Sequence, residues 1–132
     1  MINNEDNYCF ACGEKNPFGL HLKFKFDGEK IFTEKNLPRE FEGYDGIAHG
    51  GIISTMLDET MCHFIKQKYN EDAVTGRLEI RYHSPTPIGD DLKISAWQES
   101  QRRNIIVLKS QVETSDGKIT AEATAKFAVV SA

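Results

Sequence analysis

One apolar helical segment, with strand patterns before and after it, restricts the folds that this chain can adopt. From Gly50 to Tyr69 the stripe-forming side chains recur as neighbouring pairs every four residues, which predicts a single long helix with a broad apolar stripe. The paired positions are Ile52, Ile53, Met56, Leu57, Thr60, Met61, Phe64 and Ile65. The rest of the chain has strand patterns, so the apolar strand faces must pack against this one helix.

The segments around the helix alternate apolar and polar side chains with the period of half-buried strands. The predicted strands are 20–26, 30–37, 74–83, 92–99, 103–114 and 119–129, with turns at Asp27-Gly28 and Ser115-Asp116-Gly117. In the strand after the helix, Val74 is expected on the apolar face with Leu78, and Thr75 on the polar face. The predicted class is α+β, with a curved antiparallel sheet of about five to six strands wrapped around one central helix.

Length and composition favour one soluble domain covering residues 1–132. The contents of 39% apolar and 27% charged residues exclude a disordered chain and a membrane protein. The net charge of −4 and a single basic doublet, Arg102-Arg103, argue against nucleic-acid binding. Residues 1–8 are polar and acidic rather than a signal peptide, so we expect a cytoplasmic protein without membrane attachment.

The three cysteines are an odd number, which argues against a disulfide framework. Cys9 and Cys12 form a Cys-x-x-Cys pair in the N-terminal segment, residues 1–19, and this spacing occurs in zinc and redox sites. Zinc needs about four ligands, and neighbouring Cys62 and His63 point about 100° apart on a helix. The sequence therefore favours small buried side chains, and we expect no metal.

The start of the helix has the features of an oxygen-binding site. Its first N–H groups lack partners within the helix, and the helix dipole adds partial positive charge there. Gly50 and Gly51 have no side chain to block a ligand oxygen, and Asp58 follows roughly 10 Å along the axis. A donor at one end and a carboxylate further along suit acyl-transfer chemistry, with Asp58 as general base or nucleophile.

Each of these residues also has a structural interpretation. A helix carboxylate such as Asp58 or Glu59 is commonly a solvated surface group. His49 can cap the helix or hold a substrate carbonyl. Arg102 and Arg103 can form a solvated turn or bind the phosphates of a ligand. The sequence has no phosphate loop, serine elbow or dinucleotide motif, which disfavours nucleotide hydrolysis and triad catalysis.

Four motifs together resemble hotdog-fold acyl-CoA thioesterases of the phenylacetate-degradation type, in the 4-hydroxybenzoyl-CoA thioesterase-like superfamily. They are Cys9-Phe10-x-Cys12-Gly13-x-x-Asn16-Pro17-x-Gly19-Leu20, Phe41-x-Gly43-Tyr44-x-Gly46-Ile47-x-His49-Gly50-Gly51, Leu57-Asp58-Glu59, and Ser84-Pro85-x-Pro87-x-Gly89-Asp90. The resemblance covers nearly the whole chain. It implies hydrolysis of an acyl-CoA without a further cofactor, by a homodimer or homotetramer with active sites at the dimer interface.

The resemblance also assigns roles to residues. Asp58 matches the catalytic carboxylate, the Gly50 amide matches the donor to the thioester carbonyl, Thr75 matches a hydroxyl that assists the water, and His49 matches the histidine at the helix start. Gly51, Tyr44, Glu59, Arg102 and Arg103 are predicted to contact the substrate.

One departure from the family pattern keeps a second hypothesis open. Gly43 stands where many relatives have an amide side chain that orients water or the thioester. Its absence favours a hotdog protein that binds an acyl-CoA or acyl chain without turnover. A third hypothesis, a dehydratase of hydroxyacyl thioesters, has no matching second motif in this sequence.

Overall fold

One helix packs against one antiparallel sheet. The computed structural model describes residues 6–130, so residues 1–5 and 131–132 of the predicted domain, including part of the predicted polar N-terminus, lie outside the described residues. The elements are β1 (Lys25–Phe26), β2 (Lys30–Asn36), a 3-10 turn (Arg39–Phe41), α1 (Gly50–Tyr69), β3 (Asp72–Tyr82), β4 (Asp91–Arg102), β5 (Ile105–Glu113) and β6 (Ile119–Val130). The sheet has six strands in the order β1-β2-β4-β5-β6-β3. The predicted α+β hotdog class is confirmed.

The apolar stripe of α1 forms the centre of the core. The helix buries Ile53, Met56, Leu57, Thr60, Met61, Phe64 and Ile65, which are the predicted stripe apart from the partly exposed Ile52. It contacts β2, β3, β4, β5 and β6. Opposite the helix, β6 buries Ala121, Ala123, Ala125 and Phe127 on one face, and the small alanines allow close approach.

Local signals fix both ends of the helix. The predicted bounds Gly50 and Tyr69 are confirmed, and Asn70 ends the helix in the left-handed conformation (φ 51°) while its N–H bonds to the Lys66 carbonyl. Lys66 and Lys68 place positive charge in the last turn, where the helix dipole favours it. None of the helices within residues 6–130 has the length and apolarity needed to cross a membrane.

The first predicted strand, 20–26, is wrong for most of its length, because only Lys25–Phe26 pairs with β2. The Leu20 and Leu22 N–H groups instead donate to the Phe10 and Ala11 carbonyls, at 2.8 and 2.9 Å. Between them, His21 has a positive φ of 55°, which breaks the extended chain. The apolar alternation is kept, since both leucines are buried.

A bulge changes the predicted faces of β3. The pairing of β3 with β6 shifts register between Thr75 and Arg77, so Gly76 is an extra residue. Ala73 is consequently buried, whereas Val74 is 47% exposed. The prediction that Val74 shares an apolar face with Leu78 is therefore wrong.

The turn between β4 and β5 falls later than the sequence pattern indicated. Strand β4 continues to Arg102 instead of ending at 99, and β5 begins at Ile105 instead of 103. Arg103, with a positive φ of 58°, lies in the turn between them. Arg102 therefore belongs to a strand and Arg103 to the turn.

Candidate functional site

The start of α1 has one backbone donor without an acceptor among the described residues. The His49 ring accepts a hydrogen bond at Nδ1 from the Gly51 N–H (2.9 Å), and the His49 carbonyl accepts from Ile52 and Ile53. The capping interpretation of His49 is thus confirmed. Within residues 6–130, the Gly50 N–H meets no hydrogen-bond acceptor. Of the two glycine amides, only that of Gly50 remains available to a ligand.

Tyr82 lies beside this donor. At the end of β3, its hydroxyl donates to the Gly50 carbonyl (2.9 Å), and the side chain is 54% exposed. A Cβ placed on Gly50 would be 3.7 Å from the Tyr82 ring, an ordinary contact. A Cβ on Gly51 would be 3.1 Å from the His49 ring, which is tight. The sequence pattern identified Tyr82 only as a strand residue and missed this contact.

Asp58 pairs with Thr75 across the helix–sheet boundary. The Thr75 hydroxyl donates to Asp58 Oδ1 at 2.7 Å. The bulge at Gly76 explains why Thr75, predicted on the polar face, reaches the helix. Burial raises the pKa of Asp58, the Thr75 bond lowers it, and the nearby Glu59 charge raises it, with a net rise. A carboxylate with a raised pKa is a stronger base for taking a proton from water.

The two parts of the predicted site are separated along the helix. Gly50 and Asp58 are eight residues apart, which corresponds to about 12 Å at 1.5 Å per residue. Reacting groups must come within about 3–3.5 Å of the same bond. The Gly50 amide and the Asp58 carboxylate of one chain therefore cannot act on the same thioester carbon.

Glu59 faces different neighbours from Asp58, as expected for adjacent helix positions. Cys9 Sγ lies 3.6 Å from Glu59 Oε2, and His63 Nε2 lies 3.1 Å from the same oxygen. Burial raises the pKa of Glu59, but the hydrogen bonds from His63 and Cys12 outweigh it, and the net pKa is lowered. Burial and the contact with Glu59 raise the pKa of the Cys12 thiol.

The contacts of Glu59 also identify a group that could hold a metal. The ligand atoms of Cys9, Cys12 and Glu59 lie within 4.8 Å of one another. The Cys-x-x-Cys spacing indicated the two cysteines, but no sequence pattern connected them to Glu59, because fifty residues separate Cys9 from Glu59.

The other predicted substrate contacts lie at exposed positions in a loop, at a strand end and in a turn. Tyr44 is 85% exposed in the loop before α1, where its carbonyl accepts from the Ile47 N–H. Arg102 and Arg103 line a surface cavity of about 540 Å³ together with Lys126. In the described part of the chain, neither arginine side chain hydrogen-bonds to Asp58, Thr75 or the start of α1.

Several solved structures share this fold. A thioesterase superfamily protein is 22% identical with a TM-score of 0.84, over 92% of this chain and 60% of that one, so this chain spans three fifths of its length. A Streptococcus mutans protein solved with acetyl-CoA is 24% identical, with a TM-score of 0.76 over 83% of this chain and 88% of its own. The Escherichia coli PaaI protein, from the phenylacetic acid degradation operon, is 17% identical, with a TM-score of 0.78 over 85% and 81%. At these identities the likeness shows the fold.

Sequence comparison gives the family. The curated proteins contain no match to this chain. A family model described as the thioesterase superfamily matches residues 45–121, more than half of the chain. The matched region begins in the loop before α1 and ends at the start of β6, so it includes the free Gly50 amide and the Asp58–Thr75 pair. The chain belongs to the thioesterase superfamily.

Proposed function

We propose that this protein hydrolyses an acyl-CoA thioester to the free acid and CoA. The observation that carries the proposal is the Asp58–Thr75 pair, in which a carboxylate of raised pKa is held by a hydroxyl at 2.7 Å. Family membership supports thioester chemistry. The Streptococcus mutans relative, solved with acetyl-CoA, supports CoA as the carrier of the acyl group. The reaction uses no cofactor besides the substrate.

In the proposed mechanism, the Asp58 carboxylate removes a proton from a water molecule whose oxygen attacks the thioester carbon. The Gly50 N–H stabilises the negative charge that develops on the carbonyl oxygen. The carbon–sulfur bond then breaks, and the CoA sulfur leaves with its electron pair and takes up the proton from Asp58. Direct attack of Asp58 on the thioester carbon, followed by hydrolysis of the anhydride, is the covalent form of the same mechanism.

Two subunits are needed to bring these groups together. Strand β3 is at the edge of the sheet, and its outer backbone groups can pair with another strand. Antiparallel pairing of two β3 strands about a two-fold axis near Leu78 places the Thr75 end of one opposite the Tyr82 end of the other. Because Thr75 holds Asp58 and Tyr82 contacts Gly50, each site combines Asp58 of one subunit with Gly50 of the other.

The remaining predicted residues have supporting roles in this proposal. His49 holds the first turn of the helix and so fixes the direction of the Gly50 N–H. Gly51 contributes only its lack of a side chain, because its N–H is bonded to His49. Tyr44 contacts the acyl group, and Arg102 and Arg103 bind CoA phosphates. Glu59 is left out of the hydrolytic mechanism because its carboxylate faces Cys9 and His63.

Binding of an acyl-CoA without turnover is the second candidate function, and Gly43 is the observation that favours it. A Cβ at Gly43 would be 3.3 Å from His49 Cα, so this position lies against the start of the helix. A glycine there offers no amide side chain to orient a water molecule or the thioester.

Release of free thiol from short, medium, long and aromatic acyl-CoAs tests the proposal. We expect hydrolysis of at least one class, and its loss in Asp58→Asn with the fold retained by circular dichroism. Calorimetric titration of each acyl-CoA separates the two candidate functions. Saturable binding without thiol release would support the binding protein, and near-normal turnover in Asp58→Asn would remove Asp58 from the mechanism.

A further inference from the structure

The Cys9–Cys12 loop forms a tight turn that brings its two sulfur atoms together. The Cys12 N–H donates to Cys9 Sγ (3.5 Å), and the Gly13 N–H donates to the Cys9 carbonyl (2.8 Å). A Cβ on Gly13 would lie 2.3 Å from the Cys9 nitrogen, so the turn requires glycine at this position. The turn therefore holds the Cys9 sulfur against the Cys12 backbone.

Two side chains of α1 face this loop from one turn apart. Glu59 Oε2 lies 3.6 Å from Cys9 Sγ and 3.1 Å from His63 Nε2. The His63 ring stacks on Phe24, with ring centroids 4.2 Å apart and 18° between the planes. The side chains of Glu59 and His63 are only 20% and 26% exposed. The carboxylate is therefore held in one direction, toward the sulfur atoms.

We propose that Cys9, Cys12 and Glu59 bind a zinc ion, with His63 orienting the Glu59 carboxylate. Thiolates and carboxylates are zinc ligands, and these three ligand atoms already lie within 4.8 Å of one another. Tetrahedral zinc with a Zn–S bond of about 2.3 Å and a Zn–O bond of about 2.0 Å separates sulfur from oxygen by about 3.5 Å. The observed separation of Cys9 Sγ from Glu59 Oε2 is 3.6 Å.

The zinc ion completes its shell with a water molecule, and the two thiol protons leave to solvent on binding. His63 acts through its hydrogen bond to Glu59 and is a positioning residue. This assignment replaces both the predicted substrate contact of Glu59 and the expectation that the chain binds no metal. The proposal is independent of the hydrolytic mechanism, since it uses neither Asp58 nor Thr75.

The zinc ion would attach the N-terminal loop to the middle of α1. Among the described residues before Lys25 there is no strand or helix, and the backbone bonds of Leu20 and Leu22 join this loop to the segment that leads into β1. A metal bridge from Cys9 and Cys12 to Glu59 fixes the loop at the helix position next to Asp58. We therefore expect the bound ion to raise the thermal stability of the protein.

The test is titration of the metal-free, fully reduced protein with Zn²⁺ in the presence of a coloured competing chelator. We expect one Zn²⁺ per chain, an affinity about 100-fold or more lower in Cys12→Ser, and an affinity about 10- to 100-fold lower in His63→Phe. Titration with Co²⁺ provides a second readout, because thiolate ligands give a sulfur-to-cobalt charge-transfer band that Cys9→Ser and Cys12→Ser weaken.

Cys62→Ser is the matched control, because Cys62 also lies on α1 but contacts the Ala73 carbonyl. It should keep the affinity and the cobalt band of the original chain. Glu59→Gln preserves the size of the side chain and tests the same site if a cysteine variant fails to fold. It should lower the affinity for Zn²⁺ as much as Cys12→Ser does. Zinc binding no tighter than in Cys12→Ser, or unaffected by Glu59→Gln, would overturn the proposal.

Discussion

Asp58 and Glu59 are adjacent carboxylates on one helix, yet their environments shift the pKa in opposite directions. Within the described part of the chain, Asp58 receives one hydrogen bond, from Thr75, and burial keeps its pKa raised. Glu59 receives hydrogen bonds from His63 and from the cysteine loop, and its pKa is lowered despite burial. The additional hydrogen bonds to Glu59 therefore account for the opposite directions of the two pKa shifts on this helix.

The largest expected difference between the two carboxylates is in turnover. Asp58→Asn removes the base and should lower kcat by about 10²- to 10⁴-fold. Glu59→Gln, a matched change on the next residue, should keep most of the activity because its carboxylate faces away from Thr75. Thiol-release kinetics on the best substrate measure both, and equal losses in the two variants would contradict the assignment of Asp58 rather than Glu59 as the base.

The Gly50 donor can be removed without removing the helix. Proline is favoured at the first helical position, and the extended His49 (ψ 133°) is compatible with a following proline. Gly50→Pro should lower kcat by about 10²- to 10³-fold because it lacks the N–H. Gly50→Ala keeps the N–H and only contacts the Tyr82 ring, so it is the control. Similar rates in the proline and alanine variants would exclude Gly50 as the oxyanion donor.

Substitution of Thr75 is expected to change the pH dependence of kcat, a smaller effect than the loss of turnover expected at Asp58 and Gly50. Asp58 must be ionised to act as a base, so kcat should rise with pH through its raised pKa. Thr75→Val removes the bond that lowers this pKa, and the acid limb of the kcat profile should move to higher pH. Thr75→Ser keeps the hydroxyl and should keep the profile. An unchanged acid limb in Thr75→Val would show that another group controls it.

The smallest expected effect is on stability, with opposite signs for the two carboxylates. A raised folded-state pKa stabilises at low pH, and this stability is lost as pH rises through that pKa, so Asp58→Asn should raise Tm slightly at neutral pH. A lowered folded-state pKa stabilises above the unfolded pKa, so Glu59→Gln should lower Tm at neutral pH and not below its folded pKa. Melting curves of metal-free protein across pH test both signs, and shifts of the same sign would contradict the assigned environments.

Features of the fold that depend on residues close together in the sequence were predictable from the sequence. The helix bounds Gly50 and Tyr69 follow from a cap at one end, basic residues at the other and a regular apolar stripe between them. The buried alanines of β6 follow from strict alternation. These signals are local, so they do not depend on how distant segments pair.

Features that depend on distant segments were not predictable in the same way. Leu20 and Leu22 were predicted in the first strand, but their backbone N–H groups bond to the loop around Phe10 instead of to a strand. The alternation of apolar and polar residues does not indicate which backbone groups will pair. Thr75 reaches Asp58 because the bulge at Gly76 changes which side chains face the helix. A glycine within a strand pattern is a signal for such a bulge, and it was available in the sequence. The approach of the cysteine loop to Glu59 had no such signal.

The sharing of one site between two subunits is tested most directly by mixing two inactive variants, Asp58→Asn and Gly50→Pro. In a mixed dimer one site carries both changes and the other carries neither. After subunit exchange, verified by native mass spectrometry, thiol release should therefore recover to roughly a quarter of the original rate for an equal mixture of dimers. A mixture that exchanges subunits and stays as inactive as its two parents would contradict a site built from Asp58 of one subunit and Gly50 of the other.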